Sequence, residues 1–444
     1  MLVLCLLSCG AEPISPPPAD TSEVDVGAPQ ASEEPHDASA ATAFDIDITP
    51  ETTETADILE DTANEVAPGS DSATEPTPDV VMADVEVPQD TSSAPTADTA
   101  ADSVVDDALV LDAAQPPSDA SPTNDATVPD PFDALDVCTG GVIDAALAPQ
   151  IPKSAGPEAF TPWDGDGWMG ITGLMTTLLG GDISGALEAL SEVNYQACRG
   201  QGDEAGLLLF VPTESGTGHA RAVWRLGAAR PLVLEAPHPV FDMDTGIEAA
   251  TLFEATQARG LIVSGTHRCV SDVPSGCDGK TKVCTGTSSP YPLTDMAHVG
   301  VSFFQAFHEA FQAGLEEVAT LTNDWGYLLI SVHGMAGDGI SLSNGTTSEA
   351  DVESLPAKLY LALQGALPDA YITSCNSFEG AVVDKRLCGS TNTQGRHTNG
   401  VGEVCTDAAP AASGHFAHME QTLEIRQNPE PVIQALLEVF ELVD

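Results

Sequence analysis

Apolar runs of strand length alternate with helical patterns over the C-terminal part of the chain. The runs predict strands at 205–211, 220–226, 231–236, 261–263, 326–332 and 371–373. Helical spacing or good helix formers predict helices at 247–259, 299–315, 357–367 and 431–442, with two shorter helices at 169–190 broken by Gly180-Gly181. This alternation predicts an α/β fold, with a mostly parallel or mixed sheet and helices on both faces.

The N-terminal part has a different composition. The first 152 residues contain no Lys or Arg and are rich in Asp, Glu, Pro, Ala and Thr. Such a segment cannot bury enough apolar surface to offset its ordering entropy. We therefore expect residues 10–135 to be a disordered acidic stalk and 136–444 to be the folded domain. The net charge of −54 argues against nucleic-acid binding.

The first ten residues are apolar and end in Leu6-Leu7-Ser8-Cys9-Gly10, which resembles a bacterial lipobox. The run is too short to span a bilayer, so residues 1–9 are predicted to be a lipoprotein signal peptide. Lipidation of Cys9 would anchor the protein to a membrane without spanning it. The expected location is the bacterial cell envelope, at the outer membrane or cell surface.

Eight further cysteines form an even set in the C-terminal part of the chain. They are Cys138, Cys198, Cys269, Cys277, Cys284, Cys375, Cys388 and Cys405. In an exported protein such a set predicts disulfides, although the spacing leaves the connectivity open. A cysteine-ligated structural zinc is the alternative, and the lack of any Cys-x-x-Cys pair argues against it.

Two histidines and a carboxylate follow predicted strands. His238 comes just after the strand at 231–236, Asp242 lies four residues later, and His333 ends the strand at 326–332. Loops at the carboxyl ends of parallel strands form the ligand crevice of such sheets. Three ligands with an open fourth position are what a catalytic zinc needs. The alternative is that both histidines merely cap or pack at the starts of loops.

Neighbours of this motif leave further alternatives open. Asp244 is a rival ligand to Asp242, while Thr245 and Glu235 could hydrogen-bond a ligating group. The stretch from Asp242 to Thr245 could also be a simple helix N-cap.

A third motif lies at 415–426. If 418–426 is extended, His418, Glu420, Thr422, Glu424 and Arg426 share one face. A Glu on that face could serve as general base. Alternation does not separate Glu420 from Glu424, but the apolar neighbours of Glu424 favour it for a dry site.

Taken together, the three motifs resemble the zinc amidohydrolases related to carboxypeptidases, such as N-formylglutamate amidohydrolases and phage poly-γ-glutamate hydrolases. This resemblance implies that His238, Asp242 and His333 hold zinc and that Glu424 is the base. The chain departs from the group in having Asp where the group usually has Glu.

The resemblance also implies a substrate that carries a carboxylate next to the cleaved amide. Four side chains are candidates to bind such a substrate: Arg268, Arg396, Asn399 and Arg426. His298, His308 and Glu309 are expected on a helix surface. The leading hypothesis is a surface-anchored zinc hydrolase of peptides, cell-wall peptides or γ-glutamyl polymers. A metallo-carboxypeptidase and a non-catalytic binding lipoprotein are the alternatives.

Overall fold

A computed structural model describes residues 131–322 and 326–443. Within these residues, ten α-helices are described: α1 Val142–Ala146, α2 Trp168–Thr172, α3 Leu174–Leu179, α4 Ile183–Glu192, α5 Thr245–Thr256, α6 Phe303–Thr322, α7 Leu355–Ala366, α8 Thr393–Thr398, α9 Leu423–Gln427 and α10 Glu430–Val439. The nine described strands are β1 Tyr195–Arg199, β2 Leu207–Pro212, β3 Arg221–Arg225, β4 Arg230–Ala236, β5 Ala258–Val263, β6 Leu328–Gly334, β7 Ile340–Ser343, β8 Ile372–Ser374 and β9 Phe416–Gln421.

The nine described strands form one mixed sheet in the order β1-β2-β3-β5-β4-β6-β9-β7-β8. Its centre is parallel: β4 pairs with β5 and β6, and β6 pairs with β9. Antiparallel pairs join β1, β2, β3 and β5 on one side, and β7 to β9 on the other. Because β4, β6 and β9 run in the same direction as neighbours, their carboxyl ends meet at one edge.

Helices cover both faces of the sheet, as predicted. On one face the core includes Val142, Phe253, Leu363 and Leu436 of α1, α5, α7 and α10. On the other face it includes Ile171, Leu178, Leu190 and Phe307 of α2, α3, α4 and α6. The central strands are therefore apolar on both sides, which explains their nearly continuous hydrophobic runs.

Two predicted helical segments differ in detail. The helix expected at 247–259 ends at Thr256, where Gln257 takes a left-handed conformation with φ 51°. Gly260 therefore lies inside β5 and does not end a helix. A Cβ there would come within 2.7 Å of the ring of Phe311, so the strand needs glycine at this contact. The segment 169–190 contains three short helices instead of two.

The described residues begin five positions before the domain boundary predicted at residue 136. Pro131–Ala134 already form a 3-10 turn, and Leu135 is buried in the core. The predicted signal peptide, Cys9 and nearly all of the predicted stalk lie outside the described residues. Among the described helices, none combines the length and apolar character needed to cross a membrane.

All eight C-terminal cysteines are paired. The disulfides are Cys138–Cys198, Cys269–Cys284, Cys277–Cys405 and Cys375–Cys388. The prediction of disulfides is thus confirmed. Four disulfides are typical of an extracellular or periplasmic protein, because cytosolic thiols are kept reduced.

Candidate metal centre

The predicted metal ligands lie together at the carboxyl edge of the parallel strands. His238 follows β4, and His333 is the penultimate residue of β6. A turn in which the Asp242 amide donates to the His238 carbonyl at 2.9 Å brings Asp242 back toward both imidazoles. The three side chains are buried, and their ligand atoms lie within 4.8 Å of one another.

The two imidazoles present the same nitrogen to the carboxylate. Nδ1 of His238 and Nδ1 of His333 each lie 3.3 Å from Oδ2 of Asp242. Their ring centroids are 5.0 Å apart and the rings are steeply inclined to each other. Two nitrogens and one carboxylate oxygen therefore converge on one point, which is the donor set of a three-ligand zinc site.

The outer nitrogens of both imidazoles have partners of their own. Nε2 of His238 donates to Oδ1 of Asp295 at 2.7 Å. Nε2 of His333 lies 3.0 Å from Oγ of Ser331. Metal-ligating histidines characteristically use the second nitrogen in this way, because the contact fixes the tautomer and the ring orientation. The residues therefore fit a bound zinc ion.

The charges of the three side chains also suit a cation. Burial alone would raise the pKa of Asp242, but hydrogen bonds with His238 and His333 hold it far below its usual value. Burial lowers the pKa of His333 to about 4, so this imidazole is neutral near pH 7. The pKa of His238 is raised, because Asp295 and Asp242 outweigh burial and Arg268. Metal binding at its Nδ1 would therefore displace a proton.

Asp295 is the residue of the candidate site that the sequence analysis missed. Its fully buried carboxylate accepts hydrogen bonds from His238, from Nη2 of Arg268 at 2.6 Å and from Nδ1 of His298 at 2.9 Å. Burial would raise its pKa, but these three neighbours hold it well below the usual range. Asp295 lies 57 residues from His238 in an irregular loop, and no motif in the sequence marks it.

The third motif differs from its prediction. The strand β9 ends at Gln421, and residues 423–427 form the short helix α9. Glu424 is therefore exposed on α9, and its expected place in a dry site is wrong. Glu420 is buried on β9 directly opposite His333 of β6, and His418 lies on the same face of the strand. Glu420 is thus the carboxylate that reaches the site.

Of the predicted substrate-binding residues, only Arg268 lies at the candidate site. Its guanidinium is 5.4 Å from the centre of the Phe241 ring. Arg396 instead donates to the carbonyls of Ser390 and Val404. Asn399 likewise donates to the Asn344 carbonyl and accepts from the Ser413 amide. These backbone contacts hold Arg396 and Asn399 in structural positions.

Arg426 is buried on the opposite face of the sheet. It donates to the Gln421 carbonyl and lies against Gly334, where a Cβ would meet its guanidinium. Its expected role in substrate binding is therefore not supported by its position.

Within the described residues, Asp244 and Thr245, the alternatives next to Asp242, make no hydrogen bond to the two imidazoles. Asp244 precedes α5 and accepts a hydrogen bond from Gln427, so it is directed away from the imidazoles. The Thr245 amide donates to the Asp242 carbonyl, whereas its hydroxyl has no partner within the described part of the chain. Asp242, rather than Asp244, is the ligand that the geometry favours.

The residues expected on a helix surface, His298, His308 and Glu309, are less exposed than predicted. Glu235 contacts one of them. His308 is fully buried and contacts Oε1 of Glu235 at 2.6 Å, so Glu235 does not reach the metal ligands. His298 contacts Asp295, as described above. Glu309 on α6 is half-buried, so it lies nearer to the surface than His308, and it pairs with His397 at 3.3 Å. Helical spacing could not predict the contact between His308 and Glu235, because it depends on which strand of the sheet α6 covers.

No known protein family and no curated protein matches the chain. Solved structures similar to it include a zinc-free structure named YNDL-apo, with 11% identity over 46% of this chain and 74% of that chain, and a TM-score of 0.22. The gene product Atu2144 from Agrobacterium tumefaciens is 11% identical over 46% and 83%, with a TM-score of 0.27. A protein named as a candidate metallopeptidase from Shewanella amazonensis is 12% identical over 62% and 90%, with a TM-score of 0.24. Similarity at this level assigns neither a family nor an activity to the chain.

Proposed function

We propose that this protein is a zinc-dependent hydrolase that cleaves an amide bond next to a carboxylate. The observation that carries the proposal is the convergence of His238 Nδ1, His333 Nδ1 and Asp242 Oδ2. The Nε2 atoms of the two histidines contact Asp295 and Ser331, which orient the rings. A structural zinc site has four protein ligands, whereas three protein ligands leave a position for a reactant. This donor set therefore favours catalysis.

Glu420 and Arg268 supply the remaining chemistry. Zinc held by the three ligands would act as a Lewis acid, polarising a carbonyl and lowering the pKa of a water molecule. Glu420 would accept a proton from the attacking water and return it to the leaving amine, as the carbon–nitrogen bond breaks and a carbon–oxygen bond forms. Arg268 places a positive charge beside Asp242 and Glu420. Its buried Nε has no hydrogen-bond partner among the described residues, and a substrate carboxylate that enters the site would supply one.

We also propose that the enzyme is exported and held at the cell surface by a lipid on Cys9. The four disulfides support export. The lipobox-like Leu6-Leu7-Ser8-Cys9 supports the anchor. The acidic segment that follows would then act as an extended spacer, because like charges repel and proline stiffens the chain.

Three variants test the catalytic proposal. The wild-type protein should contain about one equivalent of zinc, and His333→Ala should lose it. Glu420→Gln should keep the metal but lose roughly 10²–10⁴-fold in turnover of N-acyl amino acids or γ-glutamyl peptides. Glu424→Gln is the matched control, since this exposed carboxylate should be dispensable.

The outcomes separate the alternatives. Loss of turnover in Glu424→Gln, with Glu420→Gln fully active, would restore the sequence-based assignment of the base. A wild-type protein without zinc would refute the metal site. A zinc-loaded protein without activity on any amide would favour the binding lipoprotein.

A further inference from the structure

A second group of metal-ligating side chains lies beside the first. His333, His418 and Glu420 offer ligand atoms that all lie within 4.8 Å of one another. Their relative exposures are 4%, 5% and 8%, so all three residues are buried. The two groups share His333 and differ in every other member.

Strand register brings the second group together. His333 on β6 lies opposite Glu420 on β9, and Ser331 lies opposite His418. Because side chains two residues apart on a strand share a face, all of these side chains point the same way. The rings of His333 and His418 are 4.4 Å apart, and Nε2 of His418 lies 3.6 Å from Oε1 of Glu420.

His418 itself points to a ligand. Its Nδ1 is buried and has no hydrogen-bond partner in the described part of the protein, which is unusual for a buried polar atom. Gly389 packs against the ring, and a Cβ at this glycine would come within 2.6 Å of it. The imidazole is thus held in place with Nε2 beside Glu420 and with Nδ1 unpartnered among the described residues.

We propose that His418 and Glu420 bind a second divalent ion beside His333, and that its occupancy inhibits the hydrolase. The proposal rests on the function proposed above. Because His333 directs Nδ1 at Asp242, the second ion would have His418, Glu420 and water as its ligands. Two protein ligands bind an ion more weakly than the three of the first set. Imidazole and carboxylate donors suit Zn²⁺ or Co²⁺ better than Ca²⁺ or Mg²⁺.

Inhibition follows from the role of Glu420. A carboxylate that ligates an ion is a poorer proton acceptor, so the second ion would withdraw the general base. Amide hydrolysis should therefore rise as the first equivalent of zinc binds and fall as the second binds.

The test uses the full chain dialysed against a series of buffered Zn²⁺ concentrations. Ion content should rise in two steps, from about one to about two per chain, and activity should fall with the second step. His418→Phe should bind one ion and stay active at high zinc, and His418→Asn serves if the larger side chain disturbs folding. His415→Ala is the matched control, because His415 precedes the same strand but contacts Tyr327.

Each outcome decides the proposal. One ion per chain at every zinc concentration would overturn it, and so would a second ion that still binds to both His418 variants. Two ions without inhibition would overturn the role assigned to Glu420. A wild-type protein that binds no ion would instead refute the proposed function.

Discussion

Glu248 on α5 is a buried carboxyl that lies against Gln421 and Arg426, and its ionisation should limit stability at high pH. Its exposure is 1%, Oε1 accepts a hydrogen bond from Gln421 at 2.6 Å, and Oε2 has no partner within the described residues. Burial raises the pKa of Glu248 to about 8, although Gln421 and Arg426 act in the opposite direction.

The sign of the effect follows from linkage. Since the pKa is higher in the folded chain than its ordinary value of 4.5, the folded state favours the protonated carboxyl. The resulting stability is fully present below pH 4.5 and is lost as the pH rises through about 8. At about 1.4 kcal/mol per pKa unit, the difference sets an upper limit of roughly 5 kcal/mol.

Glu248→Gln replaces the carboxyl with a neutral group of the same shape. Urea unfolding should give similar stabilities for wild type and variant at pH 4, and a variant more stable by roughly 2–5 kcal/mol at pH 9.5. Other titrating groups cancel in this comparison, and Glu424→Gln, which changes an exposed carboxylate, controls for the loss of charge. An equal difference between the two proteins at both pH values would show that folding does not raise the pKa of Glu248.

Two further predictions concern the metal and the anchor. Asp295→Asn should weaken zinc binding by roughly 10–100-fold, because His238 loses the carboxylate that orients it; competition with a chelating dye measures this, and an unchanged affinity would contradict the role of Asp295. Cys9→Ala should move the protein from the membrane fraction to the soluble fraction, and a variant that sediments like the wild type would rule out lipidation at that residue.

The clustering of the candidate metal ligands was predictable because buried strands leave a strong signal in the sequence. The apolar runs before His238 and His333 fix where two strands end, and parallel neighbours bring those ends together. Asp242 followed from its place in the same loop. The three candidate ligands could thus be chosen from the positions of strand ends and one loop alone.

The candidate general base was harder to choose, because the alternation of polar and apolar residues continues past the end of β9. β9 pairs with β6 and β7, and both pairings stop at Gln421, opposite Gly334 and Ile340. The Thr422 amide makes one more hydrogen bond, to the Gly339 carbonyl just before β7, and the backbone then turns into α9. The polar residues that continue the pattern, Glu424 among them, therefore leave the face that carries Glu420.

Asp295 could not be predicted because it belongs to a loop without periodic signal. Between β5 and α6, the described backbone contains a single 3-10 turn, Met296–His298. This loop nevertheless carries both Arg268 and Asp295, the pair that positions His238. Neither strand alternation nor helical spacing marks such a segment in the sequence. Backbone hydrogen bonds such as that from Ser275 to Tyr291 hold parts of it, and the loop has a second source of order.

The disulfides supply that source. Cys269, next to Arg268, is bonded to Cys284 within the loop, and Cys277 joins the loop to Cys405 near the last strand. Cross-links restrict an irregular segment much as hydrogen bonds restrict a strand, since both remove alternative conformations. The orientation of His238 therefore depends, through Asp295, on cysteines that stay oxidised outside the cytosol. If the candidate site binds zinc as proposed, an oxidising compartment would support both the metal site and the fold.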